Sequence, residues 1–212
     1  MTQQVRAQRP SHPAALALPR MTYEEFLEWD FENPHVEWVD GEVVMMAPVS
    51  YEHQDVRGFL FALLKHFIEE HDLGRLLDDP FQMKTGPALP GRAPDVQFIS
   101  NKNFGRLKKN HLKGPADLVI EIISPGSRGT DRGDKFYEYE KGGVKEYWLI
   151  DPERRRAEFY RLGRDKQFHL MPIDKDGVVR SEVLKGLWLK VDWLWQRPLP
   201  KLKKVLKEWG LV

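Results

Sequence analysis

The residue best suited to chemistry in this 212-residue chain is Glu121, which lies in the apolar segment 117–124 (DLVIEIIS). The leucine, valine and isoleucine residues around it strongly favour a buried β-strand. Moving a carboxylate from water into such a strand costs several kcal/mol, even after the surroundings relax. A cation, a proton or a hydrogen-bond network must therefore meet the charge. A basic partner in an ordinary core is one candidate, and a functional site is the other.

A second acid, Asp95, begins the short predicted strand 94–99 (PDVQFI), 26 residues before Glu121. If the two strands are antiparallel neighbours, their carboxylates can converge across the sheet. Two hard oxygen ligands in a partly dry site suit Mg²⁺ or Mn²⁺, with waters or phosphate oxygens completing the octahedron. Lys135 is on the helix that leaves the same strand. From there it could hold an attacking water or stabilise developing negative charge.

The N-terminal part of the chain carries clear local signals for a helix and a hairpin. Thr22 and Glu25 form a capping-box pattern, which predicts a short helix starting near Thr22. Segment 35–47 (HVEWVDGEVVMMA) predicts a β-hairpin that turns at Asp40-Gly41. Glu37 lies on the first strand of this hairpin.

Segment 50–74 contains the clearest helical periodicity in the chain. Ser50 can cap this helix, and apolar residues recur at helical spacing from Val56 to Ile68. His53 precedes Val56 by three residues, so it lies in the first turn on the buried side. A capped or core-edge histidine is the usual explanation for such a residue, and a role beside the acids is the alternative.

A basic run follows in the middle of the chain. Residues 75–85 predict one strand, in which Pro80 indicates an edge or a bulge. Segment 102–113 contains no acidic residue and predicts a long, solvated, basic loop, which is either an ordinary soluble surface or a phosphate contact. The candidate nucleic-acid-binding residues in this loop are Lys102, Arg106, Lys108, Lys109 and Lys113.

The segments after Glu121 predict a helix, a buried strand and a series of shorter strands. Thr130 or Asp131 can cap a helix that runs to Lys141 and is closed by Gly142-Gly143, with Asp131, Lys135 and Tyr139 on one face. Segment 144–151 predicts a strand parallel to the one that contains Glu121, through a right-handed crossover. A β-meander over segments 157–162, 167–173, 178–184 and 187–195 and a C-terminal amphipathic helix complete the chain.

The composition is that of a globular protein without a strong overall charge. The formal net charge is +1, so any attraction to nucleic acid must be local. The absence of cysteine excludes disulfides and thiolate zinc sites and fits a cytoplasmic protein. No apolar run reaches the roughly 20 residues of a membrane span. We expect residues 1–20 to be a disordered leader and residues 21–212 to form one domain.

The motifs, taken together, resemble a known family. They are Asp95 in APDV, Glu121 in DLVIEIISP, the D-x-x-x-K motif from Asp131 to Lys135, and GGVKEYWLIDP. In order and spacing they are similar to the Uma family of putative restriction endonucleases, within the PD-(D/E)XK nuclease superfamily. The resemblance covers about residues 20–195 and includes VEWVDGEVV and the helix start at Ser50.

The resemblance implies a mixed α/β (α+β) fold with a restriction-endonuclease-like core, a mixed β-sheet flanked by helices, over about residues 36–151. An N-terminal hairpin and, over residues 152–212, a β-meander with a C-terminal helix extend it. It also implies Mg²⁺ or Mn²⁺ bound by Asp95 and Glu121, and hydrolysis of DNA phosphodiester bonds by a metal-activated water. Lys135 would be the catalytic lysine, Glu37 and His53 fall on positions counted with the site, and a homodimer is the expected assembly.

One departure from the superfamily pattern leaves alternatives open. Ile123 stands where the superfamily has its lysine, two residues after the strand acid, so Lys135 would have to supply the ammonium from the helix. One alternative is a nuclease-fold protein that binds nucleic acid or a protein partner without cutting. The other is a buried salt bridge between Glu121 and Lys135 without a metal, because a fold does not by itself determine function.

Overall fold

The computed structural model of this chain describes residues 19–30 and 35–212. The predicted leader, residues 1–20, lies outside the described residues except for its last two positions. One of these, Arg20, donates a hydrogen bond of 2.8 Å to the backbone oxygen of Asp40 and forms an ion pair with Glu42. This end of the predicted leader is therefore bonded to the N-terminal hairpin.

Side-chain caps begin the first two helices, as the sequence predicted. The Thr22 hydroxyl accepts from the Glu25 backbone N–H, and the Glu25 carboxylate accepts from the Thr22 N–H, which completes the capping box. The Ser50 hydroxyl accepts from the His53 N–H at 3.2 Å. None of the helices in the described part of the chain has the length and apolar character that crossing a bilayer requires. The helices are α1 (Tyr23–Glu28), α2 (Tyr51–Glu70), α3 (Arg128–Arg132), α4 (Asp134–Gly142) and α5 (Leu202–Glu208), with 3₁₀ helices at Asn101–Arg106 and Val191–Trp195.

The strands of the described residues form a six-stranded sheet, a five-stranded sheet and a separate two-stranded pair. They are β1 (Val36–Val39), β2 (Glu42–Met45), β3 (Gly74–Asp78), β4 (Gln82–Lys84), β5 (Gly91–Arg92), β6 (Val96–Ser100), β7 (His111–Lys113), β8 (Leu118–Ile122), β9 (Glu146–Asp151), β10 (Arg156–Leu162), β11 (Phe168–Leu170), β12 (Val178–Arg180) and β13 (Trp188–Lys190). The spatial orders are β11-β10-β9-β8-β6-β3, β2-β1-β5-β4-β7 and β12-β13. The β1–β2 hairpin turns at Asp40 and Gly41, whose φ angles of 50° and 88° fit the predicted turn.

Strand β8 lies inside the six-stranded sheet and divides the core. It pairs antiparallel with β6 and parallel with β9, as predicted. Ile120 and Ile122 pack with the apolar face of α2. The opposite face of β8 carries Glu121 beside Val119, which packs with α4 and the five-stranded sheet. Glu121 therefore faces the layer between the two sheets.

Two predictions for the middle of the chain were wrong. Residues 75–85 form two strands in different sheets, and Pro80, which has no N–H to donate to a strand pair, lies in the turn between them. Segment 102–113 is not a long loop, since it completes a 3₁₀ helix and forms β7, which pairs parallel with β4. The fully buried Leu112 anchors this segment, while the lysines beside it remain at the surface.

Two further predictions need correction after Glu121. The helix begins at Arg128, so Thr130 and Asp131 lie inside α3 and do not cap it, and Gly133 separates α3 from α4. The predicted meander forms only in part. Strands β10 and β11 extend the six-stranded sheet, whereas β12 and β13 pair separately, and residues 191–195 are helical.

Candidate active site

The two acids from neighbouring strands, Asp95 and Glu121, lie opposite one another. Val96 of β6 pairs with Ile120 of β8, and extending this antiparallel register by one residue sets Asp95 across from Glu121. Residues opposite in an antiparallel pair project to the same face, with Cβ atoms about 5 Å apart. Asp95 is 7% exposed and Glu121 is 2% exposed. This register therefore sets the two carboxylates on the same face of the sheet, where the sequence predicted that they could converge.

Asp95 is held by the backbone and by a helix terminus. Its Oδ2 accepts a hydrogen bond of 2.7 Å from the Ile122 N–H and lies 3.2 Å from Nε2 of His53. His53 reaches it from the first turn of α2, which Ser50 caps. The other ring nitrogen of His53, Nδ1, is buried without a hydrogen-bond partner in the described residues.

Lys135 lies among three carboxylates. Its Nζ is 3.0 Å from Oε1 of Glu121, 3.4 Å from Oε1 of Glu37 and 3.3 Å from Oδ1 of Asp131. The same Glu121 oxygen accepts a hydrogen bond of 2.7 Å from the Tyr139 hydroxyl. Asp131, Lys135 and Tyr139 thus share one face, as their spacing predicted, even though Gly133 interrupts the helix.

Both oxygens of Glu37 are occupied by donors from β5, from the residue after it and from α4. Oε2 accepts from Arg92 Nη1 at 2.9 Å, while Oε1 accepts from the Ala93 N–H and faces Lys135. Arg92 also forms two hydrogen bonds of 2.7 Å with the carboxylate of Glu138. Sequence reasoning missed Arg92 and Glu138, because nothing in the turn-rich segment around residue 92 distinguishes this arginine from a surface one.

The charges in this cluster perturb one another. Burial raises the pKa of Glu121 to about 8; Lys135 opposes this increase, and Asp131, Asp95 and Glu37 add to it. Burial likewise raises the pKa of Asp131, against the attraction of Lys135. Burial also disfavours ionisation of Glu37, but Lys135 and Arg92 outweigh it and lower that pKa. The site therefore has more carboxylates than its two buried cations neutralise.

These residues line one cavity of about 370 Å³. Its polar side is formed by all five residues predicted for the site, Glu37, His53, Asp95, Glu121 and Lys135, together with Arg92 and Asp131. The hairpin and the segment after it supply an apolar wall of Val44, Met45 and Val49. The basic residues predicted to bind nucleic acid, Lys102, Arg106, Lys108, Lys109 and Lys113, do not line it.

The donor set fits a hard divalent cation bound through few protein ligands. Within the described residues, no group of three or more His, Asp or Glu side chains is arranged as a metal site. Mg²⁺, however, is often held by one or two carboxylates, with waters and phosphate oxygens filling its octahedron. Asp95 Oδ1 and Glu121 Oε2 accept no hydrogen bond from any described residue. Each acid therefore retains one carboxylate oxygen with free lone pairs.

Three similarities to known proteins agree with this architecture. A family model named Uma2, putative restriction endonuclease, matches residues 23–192. An uncharacterized protein of Synechocystis sp. is 22% identical over 157 residues, covering 73% of this chain and 81% of that protein. The crystal structure of a putative nuclease belonging to DUF820 from Anabaena variabilis is 19% identical with a TM-score of 0.67, covering 82% of this chain and 97% of that chain. The structural match confirms the predicted fold class, and the family match establishes that this chain belongs to the Uma2 family of putative restriction endonucleases.

Proposed function

We propose that this protein is a metal-dependent endonuclease that hydrolyses phosphodiester bonds of DNA. The observation that carries the proposal is the register of β6 and β8, which sets Asp95 opposite Glu121 in a cavity that Lys135 also lines. Family membership supports a nuclease, and the two available carboxylate oxygens support a bound Mg²⁺ or Mn²⁺.

In this proposal, Asp95 and Glu121 hold the metal, and the other residues orient them. When bound, Mg²⁺ or Mn²⁺ would supply Lewis-acid activation of the phosphoryl group and of the attacking water. The Ile122 N–H and His53 hold one oxygen of Asp95, which leaves the other directed to a ligand. Tyr139 and Lys135 do the same for Glu121. Such support of metal ligands is typical of metalloenzymes.

Lys135 replaces the strand lysine that the superfamily pattern would place at Ile123. Ile123 is 2% exposed and belongs to an apolar cluster, while Lys135 lines the cavity from α4. Its ammonium would stabilise negative charge that develops on the phosphate in the transition state. We assign Glu37 a positioning role, because Arg92, Ala93 and Lys135 already occupy its oxygens.

Cleavage of supercoiled plasmid DNA by the purified protein tests this proposal. We expect nicked or linear product with Mg²⁺ or Mn²⁺ and none with EDTA. Because the loss of a residue that only supports a metal ligand already costs about 10–100-fold, Asp95→Asn and Glu121→Gln should slow the reaction by more than that. Glu153→Gln is the matched control, since its carboxylate is exposed and lies outside the cavity. Undiminished cleavage by both cavity variants would refute the assignment. A parallel assay with RNA identifies the preferred polymer.

Binding of nucleic acid or a protein partner without cleavage is the second candidate function, and a DNA complex that forms without product in the plasmid assay would identify it. A purely structural cluster is the third alternative, favoured by the direct ion pair between Lys135 and Glu121, and Mn²⁺ distinguishes it from a metal site. A metal that binds the native state raises the melting temperature, whereas a structural salt bridge gives no such response. An increase with Mn²⁺ that Glu121→Gln removes supports the metal site.

We further propose that the active assembly is a homodimer, because two-fold symmetry presents one site to each strand of a duplex. Sedimentation of the protein with a short duplex tests this arrangement. A complex of one chain with one duplex that still makes double-strand breaks in single encounters would contradict it.

A further inference from the structure

A second cavity, of about 700 Å³, lies between α1, β4 and β7. Lys84, Lys108 and Lys113 line it with His111, and the one acidic side chain in its lining is Glu24. The formal net charge of the whole chain is only +1. The positive charge of this cleft is therefore a local feature, and acidic residues elsewhere in the chain balance it. Within residues 19–30 and 35–212, none of the three lysines forms an ion pair with an acidic side chain.

The strand register sets two of these lysines side by side. In the parallel pairing of β4 with β7, Lys84 is the partner of Lys113. Like charges directly opposite one another on neighbouring strands destabilise a sheet. Within the described residues no ion pair neutralises either lysine, although Glu24 and Asp40 attract the Lys84 ammonium from beyond ion-pair distance. An anion bound between the two lysines would remove their repulsion.

The deeper lysine is held in position by its surroundings. Lys84 Nζ donates a hydrogen bond of 2.7 Å to the Leu89 backbone oxygen and stands 4.0 Å from the centre of the Trp38 ring and 4.8 Å from that of the Tyr23 ring. The Tyr23 hydroxyl is buried without a hydrogen-bond partner in the described residues, and Tyr23 lines the cleft. Lys84 thus presents a fixed positive charge beside the exposed Lys108 and Lys113, and a lysine ammonium has three donors that can be shared with an anion.

The electrostatics of His111 agree with an excess of positive charge. Burial lowers the pKa of His111, and the charges of Lys113 and Lys108 lower it further against a smaller opposing effect of Glu24. At the His111 ring, the positive charges of the two lysines therefore outweigh the negative charge of Glu24.

The cleft opens on the opposite face of the five-stranded sheet from the candidate active site. Successive residues of a strand point to opposite faces, and Trp38 packs against Lys84 and Tyr23 of the cleft while Glu37 points into the active-site cavity. An anion in the cleft is therefore separate from a phosphodiester bond beside Asp95.

We propose that this cleft binds a phosphate group, through Lys84, Lys108 and Lys113, at a site distinct from the candidate active site. The phosphate belongs either to the backbone of a polynucleotide or to a small phosphorylated molecule. The site does not depend on the proposed hydrolysis, so its test is made with EDTA present, where binding is measured and cleavage is absent.

The test compares two double variants from the same basic segment. Lys108→Gln with Lys113→Gln removes two charges from the cleft, and Lys102→Gln with Lys109→Gln removes two exposed charges outside it. One measurement is the melting temperature in phosphate and in chloride at equal ionic strength. The other is the affinity for a labelled DNA duplex as a function of salt concentration.

We expect phosphate to raise the melting temperature of the wild-type protein and of the control variant by more than that of the cleft variant, whose increase reports only the general stabilisation by this salt. If the ligand is a polynucleotide, the plot of log affinity against log salt becomes shallower by about 2 in the cleft variant, a larger change than in the control. If the DNA affinity is unaltered while the excess increase of the melting temperature in phosphate is lost, the site is assigned to a small phosphorylated molecule.

The proposal is overturned if the two double variants behave alike in both measurements, because the positive charge would then act without a defined site. The single change Lys113→Gln gives a further check in chloride buffer. It should raise the melting temperature by relieving the repulsion with Lys84, and a decrease would contradict the register argument.

Discussion

Replacing Lys135 by methionine tests the central electrostatic feature of the candidate active site. Lys135 is 4% exposed, and its ammonium has three carboxylate oxygens within 3.4 Å. Its removal leaves these buried carboxylates without their shared cation, and breaking a buried ion pair in this way costs about 3–5 kcal/mol. We therefore expect Lys135→Met to lower the free energy of unfolding by this amount at about pH 8 in EDTA.

The matched control for this prediction is Lys65→Met, which makes the same chemical change on an exposed helix face. Lys65 pairs with Glu69 one turn away, and the two side chains are 40% and 61% exposed. Exposed pairs of this kind contribute about 0.3–0.5 kcal/mol. The assay is urea denaturation of both variants and of the wild-type protein, with circular dichroism as the signal of unfolding.

The pH dependence of the Lys135→Met penalty has a definite sign. Lys135 lowers the pKa of Glu121 against the effect of burial, so its loss raises that pKa further. The carboxylates of the variant then take up protons as the pH falls, and the destabilisation should be smaller at about pH 5 than at about pH 8. A penalty that does not vary with pH, or one no larger than that of Lys65→Met, would refute the reasoning.

Three further predictions concern the scaffold. Burial disfavours ionisation of Asp117, but hydrogen bonds, the strongest from Lys145, outweigh this effect and lower the pKa of the carboxyl group. The stability that Asp117 contributes is therefore present above about pH 4 and is lost as the pH falls through its folded-state pKa. Urea denaturation at several pH values should show that the difference in unfolding free energy between the wild-type protein and Asp117→Asn shrinks in acid. Gly58→Ala should stabilise the protein by about 0.5–1 kcal/mol, because no atom beyond the neighbouring helix residues lies within 4 Å of the added Cβ. Gly74→Ala should destabilise it by at least about 2 kcal/mol, because a Cβ there meets the Ile99 backbone oxygen at 2.0 Å. Arg92→Met should lower the free energy of unfolding by about 3–5 kcal/mol, because it leaves buried carboxylates without their cation. Arg92→Lys should recover only part of that free energy, because lysine lacks the planar guanidinium that bonds both oxygens of Glu138. Full recovery by Arg92→Lys would contradict the role given to these two hydrogen bonds.

Local features of the fold could be predicted from the sequence because their determinants lie within a few residues of one another. The capping box of α1, the Ser50 cap of α2 and the Asp40-Gly41 turn depend on contacts between positions no more than three residues apart. The buried strand around Glu121 was equally clear, because a continuous apolar run of that length favours a strand covered on both faces.

Features that depend on a distant partner were predicted poorly. The segment around Leu112 was expected to be a loop because its charges dominate its composition, but its backbone pairs with β4, about 30 residues earlier in the chain. The single strand expected over residues 75–85 divides between two sheets for the same reason, since each half pairs with a different neighbour. Local composition contains no information on which strand will be adjacent.

The sequence by itself determined which residue types are available for chemistry: an acid within a buried strand, an acid at the start of its neighbour, and a lysine on the following helix. Only the tertiary structure decided that Arg92 bridges Glu37 and Glu138, that Lys135 lies among three carboxylates, and that two of the five basic residues line a separate cleft. The physical reason is that these contacts join side chains far apart in the chain. Their distances depend on sheet order, strand register and helix placement, whereas residue spacing determines only the face of an element on which a side chain lies.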